Sequence, residues 1–99
     1  MLDPKCYTMP IEELQKNSRI RLDICDVEVD MYWKVAMEVL DLVKENNEKG
    51  KTTFMIVPYG PLGPYARIAY LVNRYGISLE NCVFCNMDEY ITDDGKYID

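Results

Sequence analysis

The chain has 99 residues, a formal net charge of −6 and no histidine, with 48% hydrophobic and 28% charged residues. This length and balance indicate one globular domain or part of one, which excludes the disordered and fibrous classes. The excess of acidic over basic residues, 17 against 11, argues against a duplex nucleic-acid binder, because such a protein needs basic surface to neutralise phosphates. Without histidine, any chemistry must come from carboxylates or from groups outside this chain.

The first residues contain no apolar run after a basic stretch, so the sequence predicts no secretory signal. Nor does any segment reach the roughly eighteen consecutive apolar residues that a membrane-spanning helix requires. We therefore expect a cytoplasmic protein with no membrane partner and no nucleic-acid partner.

Residues 1–25 are predicted to form an N-terminal arm, made of a short helix and an extended segment. The hydroxyl of Thr8, the proline at position 10 and the acids that follow suit the first turn of a helix, which ends near Asn17. Residues 19–24 then alternate charged and apolar side chains, as an extended segment does. The same residues could equally form a surface arm that packs on the domain.

Residues 26–99 are predicted to form an α/β domain that opens with a long helix from Asp26 to about Asn46. Asp26 suits the N-cap of this helix and Gly50 the connection after it. Apolar residues recur along the helix at three- and four-residue spacing, which predicts a core-facing stripe. They are Val29, Trp33, Ala36, Leu40 and Val43.

The pattern that follows is strand, glycine-containing turn, helix and strand. Buried strands are predicted at residues 51–57 and 81–87, because both segments are short and apolar. A helix from about residue 65 to a stop at Gly76 joins them, and strands joined in this way run parallel. Apolar parallel strands pack helices on both faces. We therefore predict an α/β fold with Rossmann-like βαβ units, as an incomplete doubly wound parallel sheet.

Cys82 and Cys85 form a C-x-x-C pair, a spacing found in zinc sites and redox motifs. Residues three apart on a strand point to opposite faces, so these two thiols are not expected to converge on a metal. Cys6 and Cys25 are isolated in the sequence, and no histidine completes a site. We expect thiols that fill the core and no metal site.

Residues 58–64 are the first of two candidate sites for binding or catalysis, because ligands of open α/β sheets bind at the carboxyl ends of the strands. Gly60 and Gly63 would let an anion approach the backbone at the start of the next helix. Three prolines in the loop remove three N–H donors, and neither a dinucleotide-binding nor a Walker pattern is present. A tight structural turn explains the same residues and is the favoured interpretation from the residues alone.

Asp88 and Glu89 form the second candidate site, directly after the second predicted strand. A carboxylate at the rim of a core can be partly desolvated, which suits it to abstracting a proton next to a sugar carbonyl. A solvated acidic pair at a strand end explains the same residues. A turn is predicted at residues 93–95.

The run N-M-D-E-Y at residues 86–90 resembles the signature of the glucosamine-6-phosphate deaminase/isomerase family, with Cys85 where the family has phenylalanine. The loop V-P-Y-G-P-L-G-P-Y at residues 57–65 is similar to the sugar-phosphate loop of that family, with two residues deleted. The resemblance covers roughly residues 27–95, and the D-E-Y motif is fairly specific.

The resemblance implies an aldose–ketose isomerisation that releases ammonia from a phosphorylated amino sugar, with no metal or redox cofactor. Asp88 would be the base that moves a proton between two sugar carbons, and Glu89 and Tyr90 would shape the pocket. Gly60 and the backbone near Leu62 and Gly63 would approach the phosphate. These last assignments come from the resemblance alone.

Enzymes of the family are about two and a half times longer and use a histidine from a later segment to open the sugar ring. This chain resembles their N-terminal portion and is expected to be inactive alone. Two other hypotheses stay open: a non-catalytic sugar-phosphate binding module, and an interaction domain that uses the exposed edges and faces of an incomplete sheet. An exposed edge would also allow copies of the chain to associate into a homo-oligomer.

Overall fold

A computed structural model describes residues 3–97, so the outer ends of both predicted domains lie outside the described residues. A short 3-10 turn is followed by three α-helices and two strands. These elements are the turn Pro4–Tyr7, α1 Ile11–Asn17, α2 Glu28–Glu48, β1 Thr53–Val57, α3 Gly63–Tyr75 and β2 Cys82–Asn86.

The N-terminal arm contains the predicted short helix and no strand among its described residues. The predicted end of α1 is confirmed, and the helix begins after Pro10 without a side-chain cap. The alternating segment after α1 is irregular in its backbone and pairs with no strand. An ion pair between Asp23 and Lys34, 2.5 Å apart, links this segment to α2.

Helix α2 has the predicted length, and its last turn is followed by Gly50 at a φ of 63°. The residue at its N-cap is Val27, which supplies no side-chain hydrogen bond, so the predicted capping role of Asp26 is wrong. Of the predicted apolar stripe, Ala36, Leu40 and Val43 are buried.

The amino-terminal part of the same stripe stays accessible to solvent. Trp33 is 37% exposed and Val29 is 44% exposed, so the prediction that they belong to the core is wrong. Trp33 meets Tyr70 of α3 edge to face, with 6.1 Å between the ring centroids. Val29 lies one helical turn before Trp33, toward the start of α2.

Strands β1 and β2 pair in parallel, as predicted, with Thr53 opposite Cys82 and Val57 opposite Asn86. Helix α2 packs against α3 and against β1. Asn46 of α2 donates a hydrogen bond of 2.9 Å to the Thr53 hydroxyl, which satisfies a buried polar group between helix and sheet.

The prediction that both strands are buried, with helices on both faces, is wrong for the described residues. Phe54 is 62% exposed and Ile56 is 65% exposed, while Thr53 on the other face of the same strand is buried. Side chains alternate between the faces of a strand, so a single layer of helices covers one set and leaves the other in solvent.

The described chain is therefore an α/β protein with three α-helices and a two-stranded parallel sheet. The turn predicted at residues 93–95 is confirmed, and Ile91 and Tyr97 pair across it in an isolated antiparallel bridge. None of the helices within residues 3–97 is long and apolar enough to cross a membrane.

Helix α3 begins close to α2 and ends, as predicted, at Gly76, whose φ of 62° is the left-handed conformation that favours glycine. At the start of the helix, a Cβ on Gly63 would overlap the ring of Tyr32. The close approach of the two helices therefore requires glycine at this position.

We expect Gly63→Ala to lower the free energy of unfolding by about 1–3 kcal/mol, because the added methyl group overpacks the contact with Tyr32. Gly60→Ala is the matched control, since a Cβ there meets no atom within 4 Å. Urea denaturation of both variants and of the unsubstituted chain measures the free energies of unfolding to be compared. Equal stability of the two variants would contradict the packing role of Gly63.

Acidic pH weakens the ion pair between Asp23 and Lys34. The Lys34 ammonium, hydrogen-bonded to Asp23, holds the pKa of that carboxyl below its ordinary value. A carboxyl of this kind supports the folded arrangement above its ordinary pKa, and that support is lost as the pH falls through the lowered value.

At neutral pH, Asp23→Asn is expected to release the arm and to speed tryptic cleavage at Lys16, Arg19 and Arg21. Asp41→Asn is the control, because Asp41 is exposed on α2 and outside the ion pairs of the described residues. Cleavage rates that do not differ between the two variants would show that the ion pair does not hold the arm.

Candidate functional site

The two segments singled out in the sequence leave the sheet side by side. The backbone N–H of Met87 donates a hydrogen bond of 2.8 Å to the carbonyl of Val57, one step beyond the paired strands. Parallel pairing thus delivers the loop at residues 58–62 and the acidic run at residues 88–90 to the same edge of the sheet.

A hydrogen bond joins the loop to the acidic run. The backbone N–H of Tyr59 donates to Asp88 Oδ1 at 3.0 Å, across 29 residues of sequence. Oδ2 of the same carboxylate makes no hydrogen bond within the described part of the chain. Asp88 is therefore held at one oxygen while the other can meet a ligand.

Tyr90 also turns toward the loop. Its ring packs edge to face on that of Tyr59, with the centroids 4.9 Å apart. Glu89 points elsewhere, because its Oε1 accepts a hydrogen bond from the side-chain amide of Asn86. The structure thus brings Asp88 and Tyr90 against the loop, whereas Glu89 is paired with the end of β2.

The loop is held from the other side by α3. The hydroxyl of Tyr65 donates to the carbonyl of Pro58, which folds the loop back on the first turn of the helix. The N–H groups of Gly60, Leu62 and Gly63 find no acceptor among residues 3–97. These three donors lie beside the start of α3, where the helix dipole favours an anion.

Arg67 supports this arrangement and was not singled out from the sequence. Its guanidinium lies 5.4 Å from the ring centroid of Tyr32 and 5.7 Å from that of Trp33. It also donates a hydrogen bond of 3.1 Å to the carbonyl of Gly63, one helical turn earlier. The signal in the sequence was the four-residue spacing, because residues four apart on a helix lie on the same face and Arg67 can reach back to the carbonyl of Gly63.

The acidic run is open to solvent. Asp88, Glu89 and Tyr90 are all exposed, so the prediction of a carboxylate partly buried at the rim of a core is wrong. The cause is the uncovered sheet, since a strand that is itself exposed cannot bury the residues at its end. Within residues 3–97, no lysine or arginine forms an ion pair with either acid.

The cysteines of the C-x-x-C pair do not converge. Cys82 pairs with Thr53 and Cys85 with Ile56, so the register places the two thiols on opposite faces of the sheet, as predicted. Both are free thiols, and Cys85 is exposed while Cys82 is half-buried, so the prediction that these thiols fill the core is wrong. Among the described residues, no three metal-ligating side chains cluster together.

A groove of about 330 Å³ lies elsewhere, between α2 and α3. It is lined by Trp33, Ala66, Arg67 and Tyr70, none of which was a predicted site residue.

Comparison with known protein families, with curated proteins and with solved structures finds no match to this chain. Support for a function therefore comes from the geometry at the sheet edge and from the motifs of the sequence.

The hydrogen bond between Tyr59 and Asp88 can be tested by amide exchange. Asp88→Ala removes the acceptor, so we expect the Tyr59 amide to exchange faster with solvent. Asp88→Asn keeps a carbonyl oxygen at the same place and should preserve the slow exchange. If both variants leave the Tyr59 amide unchanged, the contact does not form in solution.

Proposed function

We propose that the chain binds a phosphorylated amino sugar at the carboxyl ends of β1 and β2, with Asp88 as the catalytic base. The reaction is that of the glucosamine-6-phosphate deaminase/isomerase type, carried by a Rossmann-like βαβ unit. The observation that supports it most is the hydrogen bond from Tyr59 to Asp88, which joins the candidate phosphate loop to the candidate base.

The proposed chemistry needs a carboxylate with one oxygen fixed and one free. In an aldose–ketose isomerisation of the open-chain sugar, the base takes the proton from carbon 2 and returns it to carbon 1. The electron pair of the broken C–H bond forms the C1–C2 double bond, while the carbonyl pair moves to oxygen 1, which takes a proton from water. When the proton returns to carbon 1, the nitrogen lone pair forms the C2=N bond of the imine. Water then adds at carbon 2 of the product imine, and the nitrogen leaves as ammonia.

The phosphate is assigned to the N–H groups of Gly60, Leu62 and Gly63. Their lack of acceptors among residues 3–97 supports this assignment, together with the dipole of α3. No cation is needed for such contacts, because backbone donors at a helix start bind phosphate themselves. Tyr59 and Tyr90 form one aromatic wall beside the sugar.

The chain contains no histidine, so the acid that assists ring opening in the family has no counterpart here. We therefore expect the 99-residue chain to bind the sugar phosphate without turning it over to fructose 6-phosphate and ammonia. Release of ammonia by the purified chain would contradict this.

A second candidate function is an interaction module without catalysis. The exposure of Phe54 and Ile56 on the uncovered face of the sheet favours it. The two functions differ in their response to ligand, because an interaction module gains no stability from a sugar phosphate.

Thermal unfolding in the presence of glucosamine 6-phosphate separates the two. A ligand at a hundredfold its dissociation constant adds about 2.7 kcal/mol to the free energy of unfolding, so we expect a clear rise in melting temperature. Glucosamine without phosphate is the control and should give a much smaller rise. If neither glucosamine 6-phosphate nor fructose 6-phosphate raises the melting temperature, the interaction module is the remaining candidate function.

The role of Asp88 is tested by slow deuterium exchange at carbon 2 of the sugar, which requires only the small open-chain fraction that forms in water without an acid from the protein. Asp88→Asn is expected to keep the affinity and to lose the exchange, because the amide retains the acceptor for Tyr59 but cannot take a proton. Asp93→Asn, which changes a neighbouring exposed acid, should retain the exchange. If deuterium exchange persists in Asp88→Asn, Asp88 is not the base.

A further inference from the structure

Arg67 lies on the second turn of α3, and two aromatic rings of α2 hold its side chain. The guanidinium carbon lies 5.4 Å from the ring centroid of Tyr32 and 5.7 Å from that of Trp33. The Nε atom is buried and finds no hydrogen-bond acceptor among the described residues. Aromatic faces rather than an acid thus hold this cation, since none of the ion pairs within residues 3–97 includes it.

The same guanidinium reaches back to the first residue of α3. It donates a hydrogen bond of 3.1 Å to the carbonyl of Gly63. Gly63 has no side chain to restrain its backbone, and it precedes Pro64, a position at which the helical conformation is disfavoured. The hydrogen bond from Arg67 therefore helps to hold Gly63 at the start of the helix.

The loop between β1 and α3 is anchored to α3 at both of its ends. The hydroxyl of Tyr65 donates to the carbonyl of Pro58 where the loop begins, and Arg67 donates to the carbonyl of Gly63 where it ends. The three backbone N–H donors assigned to the phosphate lie between these two anchors in the chain. Arg67 therefore supplies one of the two contacts with α3 that fix where these donors point.

The place of the Arg67 charge also favours an anion at this end of α3. The start of a helix carries a partial positive charge, which attracts anions and repels cations. By reaching back to Gly63, Arg67 brings a cation to the end of the helix where the dipole opposes it. An anion bound at the loop offsets this repulsion.

We infer that Arg67 is a positioning residue for the phosphate group, an inference that rests on the proposed function. Arg67 acts through Gly63, whose carbonyl it holds, and so fixes the N–H donors of the loop. Tyr32 and Trp33 hold Arg67 in turn. Phosphate affinity thus depends on two aromatic side chains of α2 that belong to neither candidate site.

Isothermal titration calorimetry with inorganic phosphate and with glucosamine 6-phosphate tests this inference. Arg67→Met keeps an unbranched side chain beside the two rings but removes the donor to Gly63. We expect it to bind both ligands about tenfold more weakly, the change that corresponds to the loss of one hydrogen bond. Arg74→Met is the matched control, because it removes the same charge from an exposed position of α3 and should keep the affinity.

The possible outcomes separate the role of Arg67 from the proposed function. A merely structural role lowers the free energy of unfolding and leaves the affinity of the folded chain unchanged. Equal affinities of Arg67→Met and Arg74→Met would therefore overturn the positioning role and leave the proposed function standing. An unsubstituted chain that binds neither ligand would overturn the proposed function, and this inference with it.

A nuclear magnetic resonance titration of the unsubstituted chain needs no variant that could fail to fold. The Nε–H group of Arg67 is buried, so its signal is shielded from solvent exchange and can be followed beside the amide signal of Gly63. On addition of inorganic phosphate, both signals should shift along one binding curve, while the Nε–H signal of Arg74 stays in place. A shift of the Gly63 signal without that of Arg67 would overturn the inference.

Discussion

The parallel ladder of hydrogen bonds between β1 and β2 is the interaction on which the rest of the structure depends. It pairs Thr53 with Cys82 at one end and Val57 with Asn86 at the other. Because parallel strands end at the same edge, the loop after β1 and the acids after β2 leave the sheet together. The backbone hydrogen bond from Met87 to Val57 continues that ladder by one step, and the Tyr59 N–H then donates to the Asp88 side chain. Without the pairing, the candidate base and the candidate phosphate loop would have no reason to meet.

The same sheet explains why so much apolar surface is exposed. Helix α2 reaches β1 through Asn46 and Thr53, so one face of β1 is covered, while Phe84 on the same side of β2 stays 44% exposed. With two strands and one layer of helices, the opposite face has nothing to pack against in the described chain. The candidate site lies at the edge of this thin layer, which is why Asp88 is exposed although it follows an apolar strand. Exposure of the site and exposure of the face therefore have one cause.

Local patterns predicted the elements well, because each element is set by its own residues. The spacing of apolar residues placed α2, and Gly76 placed the end of α3 where the backbone needs a left-handed conformation. Burial was predicted poorly, since periodicity shows which residues share a face but not whether another element covers it. Trp33 and Phe54 are apolar at the expected positions and are nevertheless accessible to solvent. The contacts of Arg67 with Tyr32 and Trp33 depend on how two helices cross, which single-sequence patterns do not specify.

A nuclear magnetic resonance titration of isotope-labelled protein with glucosamine 6-phosphate tests the central claim most directly. If the loop and the acidic run form one site, the amide signals of Tyr59, Gly60, Leu62, Gly63 and Asp88 should shift together along a single binding curve. Signals from the groove between α2 and α3, such as those of Ala66 and Tyr70, should stay in place. Shifts confined to that groove, or shifts in the loop without Asp88, would contradict the assignment of the site to the carboxyl ends of the two strands.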